Sequence, residues 1–413
     1  MLYFKHSELV DEYHVSLKTV HNWIDATKQG KLDLKLHDLN GRTYIVNSPD
    51  NVITIASLVE QGKKYRNVRY RKVVTPKPEF YELYSRKQIL DIISNLSIHR
   101  EMPRQYNYFG EGAQRWDSYI RRMLGQGSPN LLRSTIRLLD ANLGAIDTLL
   151  EGKKYVNVID VGPGNGMPVR KLLAHLLEQG TLHRYIAVDI SESILEITRR
   201  NIQEWFGDKV VFEGHIRDIG YERFGDLLVD DMLSAKADET INLGLLLGAT
   251  PINFRNPADV LKVVNESLGP DDLLIYTDIP DSEAQRKHFN ITTGPDGTKA
   301  LSPVHSYVLE LMNIDESLYD VEVGFNEQVK ARYIRIRLKT ALTITFKFEN
   351  GERSVDLEKG EAILMLRVWH MSPLKIISEF DNTGYALLQV ATTLDHEYLL
   401  GIFGIETEPL FEL

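Results

Sequence analysis

Three glycines at alternate positions, Gly162, Gly164 and Gly166, follow directly on the apolar run Tyr155-Val-Asn-Val-Ile-Asp-Val161, and a helical pattern begins at Pro168. Glycine lets a backbone turn tightly and approach a ligand without a side chain in the way. The helix start that follows offers free N–H groups to the same ligand. A second apolar run, Tyr185-Ile-Ala-Val188, ends on Asp189, 23 residues after the last glycine. An acid at about that distance holds ribose hydroxyls in nucleotide-binding folds. The combination predicts a nucleoside-cofactor site. Its Gly-x-Gly-x-Gly spacing is shorter than the Gly-x-Gly-x-x-Gly of pyrophosphate binders. It suits S-adenosylmethionine (SAM), which carries a sulfonium and an amino acid where a dinucleotide carries phosphates. On this reading Gly162, Gly164 and Gly166 line the methionine end, Asp189 takes the ribose, and Asp218 lies near the adenine.

The elements that must position these residues alternate in type. After the first two strands come Lys209–Glu213, Thr240–Leu247 and Leu273–Thr277, with a helix over Pro257–Leu268 between the last two. Strands alternating with helices imply a mainly parallel sheet that binds ligands at its carboxyl edge. The alternation stops after Asp281 and resumes near Ile363, with a helix around Leu374–Asn382 and final strands Ala386–Thr392 and Tyr398–Ile405. The division expected is therefore a core of residues 79–281 and 363–413, interrupted by an inserted lobe, 282–362.

Residues 1–62 read as a separate small module. Ser7 can cap a short helix running to His14, Val15-Ser16 make a turn, and a second helix covers Leu17–Ile24 with Leu17, Val20, Trp23 and Ile24 on one face. Leu32–Leu36 and Arg42–Val46 read as strands of a hairpin turning at Asn40-Gly41. Residues 63–78 carry seven basic residues, no acid, Tyr65 and Tyr70, and end in Pro76 and Pro78; they read as a basic linker.

The chain has 413 residues, 43% hydrophobic and 26% charged, enough for two or three domains with a sizeable core. It has no cysteine, which excludes disulfides, a thiolate nucleophile and cysteine-based metal sites. The histidines show no metal-ligand spacing, so no metal is expected. No apolar run approaches membrane-spanning length and no signal-peptide pattern is present, so a cytoplasmic location and no membrane partner are expected. The net charge of −10 divides into +5 over residues 1–78 and −15 over the rest, a basic head on an acidic body.

The helix–turn–helix–hairpin order resembles the winged helix-turn-helix of MerR-like and excisionase-like proteins. That resemblance implies nucleic-acid contacts from Lys18, Thr19, Asn22 and Arg42. Winged modules also dock proteins and peptides, and Asp25, Asp33 and Asp38 dilute the basic charge, so DNA and protein partners both stay open. A homodimer is the assembly such modules commonly adopt.

From about Ser94 onward the chain resembles the histidine-specific SAM-dependent methyltransferase family. Met102-Pro-Arg-Gln-Tyr-Asn-Tyr-Phe-Gly-Glu-Gly-Ala113, Val158–Gly166, Val188-Asp-Ile-Ser191, Leu247-Gly-Ala-Thr-Pro-Ile-Asn-Phe254 and Gly360-Glu-Ala-Ile363 carry the resemblance. It implies a Rossmann-like class I methyltransferase core of the α/β class with SAM as cofactor, Asn253 contacting the substrate amino acid, and Tyr108 beside it. The family holds an imidazole with a Glu and a Ser two residues apart; here Leu366 and Val368 occupy those places. Aliphatic side chains cannot replace the partners of a polar ring, so histidine specificity is not carried over. Asn290, Tyr307 and Asn313 fall in the inserted lobe, with packing the expected role, and His370 beside Trp369 reads as a core residue.

Three functions remain open on these grounds. The first is a SAM-dependent N-methyltransferase acting on an amino acid or related small amine. The second is a DNA-binding regulator that senses SAM or a metabolite. The third is a methyltransferase whose peptide or nucleic-acid substrate arrives through the N-terminal module.

Overall fold

Apolar, β-branched runs flanked by helical patterns bury themselves on both faces, and here they assemble the sheet around which the larger part of the chain is organised. The structure is a computed structural model that describes residues 3–69, 71–125, 130–289, 291–295 and 297–406, with the backbone alone for 63–69. The chain divides into two compact units, Met1–Val73 with Thr340–Thr343, and Val74–Lys339 with Ile344–Leu413.

The larger unit is built on a seven-stranded sheet. Its strands are β1 (Tyr155–Val161), β2 (Leu182–Asp189), β3 (Phe212–Ile216), β4 (Thr240–Leu246), β5 (Leu273–Asp278), β6 (Tyr385–Thr392) and β7 (Leu399–Ile405). Their order is β6-β7-β5-β4-β1-β2-β3. The five strands from β1 to β5 run parallel, and β7 inserts antiparallel between β5 and β6. This order reverses between β1 and β4, the switch point at which open α/β sheets bind ligands. The expected α/β class therefore holds, with boundaries moved by a few residues: β3 starts at Phe212 rather than Lys209. Helices Arg170–Glu178, Glu192–Phe206 and Pro257–Asn265 supply the crossovers. Ile159, Val161, Ile186, Val188, Leu246 and Leu274 form the buried centre, against Phe224, Phe380 and Phe403.

Strands Tyr319–Asn326, Ala331–Leu338 and Ala362–Trp369 form a separate antiparallel sheet. The strand at Ile363, read as the return to the core, thus belongs to this lobe, and the core sheet resumes only at Tyr385. Periodicity marks a strand but not its partner, which is why the sequence assigned it to the nearer sheet. Helix Pro303–Leu311 also lies in this region, with seven of its nine residues buried.

In the smaller unit helices His6–Tyr13 and Leu17–Lys28 precede a hairpin of Leu36–Leu39 and Arg42–Ile45. The hairpin ladder starts at Leu36, not Leu32; among residues 32–35 only Lys35 O accepts a backbone bond, from Val46 N at 2.9 Å. Ser16 caps the second helix, its hydroxyl accepting from Thr19 N at 3.1 Å. Val20, Trp23 and Ile24 enter the core with Leu9, Ile45 and Ile55. Leu17, expected beside them, is 50% exposed because it stands in the first turn, before the helix reaches the core. Helix Pro49–Arg69 then runs straight through the boundary at 62 where a linker was expected. The side chains of 63–70, including Tyr65 and Tyr70, lie outside the described residues, as does Asn290. Among the described residues no helix is long and apolar enough to cross a membrane, and no group of three His, Asp or Glu is placed to hold a metal.

Candidate cofactor and substrate cavity

The carboxyl ends of β1, β2 and β4 open on one cavity of about 500 Å³, whose walls include Gly162, Gly164, Asp189, Asp218, Tyr108 and Asn253. Six of the seven residues expected for cofactor and substrate are thereby brought together. Gly166 is not on the wall; its positive φ of 72° makes it part of the turn rather than a contact.

The glycine loop is fixed from several sides. Gly162 and Gly164 have φ of 72° and 60°, a region costly for other residues. A Cβ on Gly164 would stand 2.3 Å from the Trp116 ring. Thr198 Oγ1 donates to Gly164 O at 2.8 Å and Asn201 Nδ2 to Asn165 O at 2.9 Å, both from helix Glu192–Phe206. Asn165 Nδ2 donates to Asp117 Oδ1 at 2.7 Å.

Three carboxyls face the cavity beside this loop. Asp189 closes β2, and its Oδ1 accepts from Ser191 N at 2.8 Å. Burial pushes its pKa up to about 7, against the Ser191 and Ile190 amides and with Asp218 adding to the rise. Asp218 Oδ1 accepts from Gly220 N at 3.0 Å, closing a turn after β3, and burial raises its pKa as well. Asp160 was not foreseen. It is 1% exposed inside β1; its Oδ2 accepts from Tyr185 Oη at 2.8 Å, while Oδ1 has no partner. Burial raises its pKa to about 7, with Tyr185 opposing and Asp189 adding. A lone acid inside an apolar strand, two residues before Gly162, was the available signal.

The raised Asp160 pKa has a thermodynamic sign. An unfolded Asp titrates near 3.9, so between about pH 4 and 7 the folded chain holds the extra proton, and stability conferred by this group falls as pH rises through that window. Asp160→Asn keeps an acceptor for Tyr185 and removes the charge. The ligand-free variant is expected to melt close to wild type near pH 4 and above it at pH 8, by differential scanning calorimetry.

The other half of the cavity is built around Asn253. After β4 the chain turns through Gly248 and Ala249, with φ of 73° and 57°. Gly248 N and Ala249 N donate to Thr277 Oγ1 at 2.9 Å and Thr277 O at 3.0 Å. Ala249 is thus held in a left-handed conformation that costs a non-glycine residue about 1 kcal/mol, and strain of that kind clusters at ligand sites. The 3₁₀ turn Pro251–Asn253 follows. Asn253 Nδ2 donates to Ala249 O at 3.2 Å, and its Oδ1 accepts from Arg104 Nη1.

Tyr108 lies across from it, in the turn Arg104–Tyr108. Ser191 Oγ donates to Tyr108 O at 2.6 Å, and the Arg104 guanidinium sits 5.7 Å from the Tyr108 ring centre. Leu366 and Val368, the aliphatic replacements, also line the cavity, joined by Ile334 and Arg332 from the neighbouring strand. Arg104 and Arg332 went unread in the sequence. Arg332 had a signal: it stands on the buried face of an alternating strand, with Ile334, Ile336 and Leu338.

The remaining candidates lie elsewhere. Tyr307 packs beneath Arg115, whose guanidinium is 5.0 Å from its ring centre. Asn313 Nδ2 donates to Thr75 O at 2.7 Å. His370 is buried outside the cavity wall, with neither ring nitrogen hydrogen-bonded and its pKa pulled down to about 4 by burial and Arg332, against Asp281 3.9 Å away. Lys18, Asn22 and Arg42 are exposed in the smaller unit. Thr19 is engaged in the helix cap, its hydroxyl 2.8 Å from Ser16 Oγ.

The residues present fit SAM. Its ribose and amino groups bring donors where Asp189 and the unpartnered Asp160 Oδ1 bring acceptors, and the loop leaves no room for a side chain at Gly164. A family model described as histidine-specific methyltransferase, SAM-dependent, matches residues 86–403. No curated protein sequence matches the chain significantly. Among solved structures, an S-adenosylmethionine-dependent methyltransferase from Clostridium acetobutylicum ATCC 824 aligns at 11% identity and a TM-score of 0.39, over 72% of this chain and 98% of that one. Magnesium protoporphyrin IX methyltransferase from Synechocystis PCC 6803 aligns at 13% and 0.36, over 73% and 98%. The glycopeptide N-methyltransferase MtfA with sinefungin aligns at 13% and 0.33, over 68% and 89%.

Proposed function

The chain belongs to the histidine-specific, SAM-dependent methyltransferase family, and from that premise we propose that it methylates the nitrogen of an amino acid or related small amine other than histidine. The observation that carries this reading is the cavity itself. One cavity is lined both by the glycine loop with Asp189 and by Asn253 and Tyr108. A donor bound at the first and an acceptor bound at the second would share it.

When bound, SAM supplies an electrophilic methyl group on a sulfonium. Gly162 and Gly164 let the backbone approach the methionine end, Asp189 accepts from the ribose, Asp218 borders the adenine, and Asp160 Oδ1 offers an acceptor to the cofactor's amino group. Asn253 and Tyr108 orient the acceptor, and holding two reactants in line is where most of the rate enhancement of such a transfer originates. The acceptor nitrogen must present a lone pair. Arg104 and Arg332 lie in the same cavity, and Arg332 already feels the charge of Arg104. Uncompensated positive charge disfavours an ammonium beside it, which moves a bound amine toward its neutral, nucleophilic form. His305, also on the wall, is held neutral, its pKa lowered to about 3 by burial and by Arg104.

Histidine is disfavoured by the wall opposite. Leu366 and Val368 are buried aliphatics, and an imidazole pressed against them leaves its ring nitrogens unpaired at about 1–3 kcal/mol each. The N-terminal unit is proposed as a docking module for DNA or a protein partner, on the exposure of Lys18, Asn22 and Arg42.

S-adenosylhomocysteine release tests the reading, with a pool of amino acids and amines set against a desalted pool of peptides and nucleic acids. Turnover on the small-molecule pool is expected, and Asn253→Ala is expected to lower kcat/KM about 100-fold by removing a polar contact to the substrate. Turnover on the macromolecular pool alone would reassign the substrate to whatever the N-terminal unit delivers. No turnover on either, with SAM bound, would leave a SAM-sensing regulator.

A further inference from the structure

Arg332 pairs across the lobe sheet with Val368, and Ile334 with Leu366. Paired residues share a face, so the strand that carries the two aliphatic replacements is flanked by a guanidinium. Arg332 is 7% exposed. Its Nη1 donates to Gln285 O at 2.9 Å and to His288 O, and its Nε has no partner. Arg104 is in the same condition: Nη1 donates to Asn253 Oδ1 and Nε is unpartnered. Neither guanidinium has a carboxylate partner among the described residues. The acids of the cavity, Asp160, Asp189 and Asp218, stand at the ends of β1, β2 and β3, beside the glycine loop.

A buried cation without an anion, Arg332, with the half-buried Arg104 beside it, is costly, because desolvation of an ion is repaid only by a close opposite charge. Burial and the charge of Arg104 pull the Arg332 pKa down to about 10, so it remains charged near neutral pH. A site that keeps such a pair is complementary to an incoming anion, and guanidinium is the side chain suited to planar carboxylates. Ile334, Leu366 and Val368 beside Arg332 offer apolar contacts to the body of the ligand.

We propose that the methyl acceptor is a small carboxylic acid, its carboxylate held between Arg104 and Arg332 and its body lying against Ile334, Leu366 and Val368. This rests on the methyltransferase reading of the same cavity. It narrows the acceptor to an amine that also bears a carboxylate and an aliphatic side chain, and it gives a role to the residues that displaced the imidazole-binding pair.

The test is calorimetry on the full chain saturated with S-adenosylhomocysteine, using three probes of one shape: 3-methylbutanoate, its neutral amide and isobutyl phosphate. The acid is expected to bind at least about 30-fold more tightly than the amide, the range for a lost charged contact. Arg332→Met is expected to remove that preference and Arg332→Lys to restore part of it. In turnover, Arg332→Met should raise KM for amino acids about 100-fold with a smaller change in kcat. S-adenosylhomocysteine affinity and the circular dichroism spectrum should match wild type in both variants, which separates lost recognition from lost folding. Equal binding of acid and amide, or an unchanged preference in Arg332→Met, overturns the carboxylate site while leaving methyl transfer intact. Tighter binding of the phosphate overturns the choice of carboxylate. Failure of wild type to bind S-adenosylhomocysteine overturns the methyltransferase reading instead, and the same three probes on the cofactor-free chain still decide whether the arginine pair selects an anion.

Discussion

Gly164→Val is expected to remove cofactor binding and turnover together, with SAM affinity lowered at least about 1,000-fold. A β-branched residue in the left-handed region is strained wherever it stands, and here the space is also taken. The Cβ alone would lie 2.3 Å from the Trp116 ring, closer than non-bonded atoms can approach. The loop has no freedom to retreat, since Thr198 and Asn201 hold the carbonyls of Gly164 and Asn165 from one side and Asp117 holds the Asn165 side chain from the other. Either the loop or the Trp116 helix must shift, and both line the cavity. Titration calorimetry with SAM and S-adenosylhomocysteine measures the loss, with circular dichroism as the control for folding. A variant that keeps SAM affinity within a few-fold of wild type would place the cofactor elsewhere.

Asp189→Ala is expected to be nearly as damaging, and its conservative counterpart to expose a pH dependence. A carboxylate accepting from a ribose diol makes charge-assisted hydrogen bonds of about 1.5–3 kcal/mol each, so the alanine variant should lose SAM affinity by about 100-fold. The ligand-free carboxyl titrates near 7 because burial disfavours its charge. Hydroxyl donors favour the ionised form, so binding must first remove the proton at low pH. SAM affinity should therefore rise with pH up to about 7 and level above it, falling up to tenfold per unit below. Asp189→Asn should bind weakly and flatten that dependence. Any slope that remains reports Asp160, whose carboxyl titrates in the same range and lines the same cavity. Affinity that falls with rising pH would mean that the protonated acid is the binding form, reversing the assignment of donor and acceptor at the ribose.

The two predictions differ in how they could be reached. Gly162, Gly164 and Asp189 declare themselves locally: a glycine where the chain must turn with positive φ, and an acid at the end of an apolar run. These are properties of a residue and its immediate neighbours, and they were legible before any coordinates. Strand and helix periodicity placed most of the seven-stranded sheet for the same reason. Asn253 was legible by resemblance, as were Leu366 and Val368, which the cavity wall then brought together.

What periodicity could not supply is partnership. The strand Ala362–Trp369 looks the same whether it joins the core sheet or the lobe, and only the pairing with Ala331–Leu338 decides it. Helix Pro49–Arg69 enters a stretch whose charge suggested a linker and stops short of Pro76 and Pro78, because basic residues favour a helix as readily as a coil when nothing local breaks it.

Local sequence was enough for a parallel α/β sheet with a glycine loop at its switch point, since glycine geometry and hydrophobic period act over a few residues. The buried Asp160 with an unpartnered oxygen, and the guanidiniums of Arg104 and Arg332 on one cavity wall with no carboxylate partner among the described residues, arise only from the fold. Arg104 and Arg332 are 228 positions apart. The neutralisation of a buried charge depends on every group around it in space, and no window along the chain contains that list.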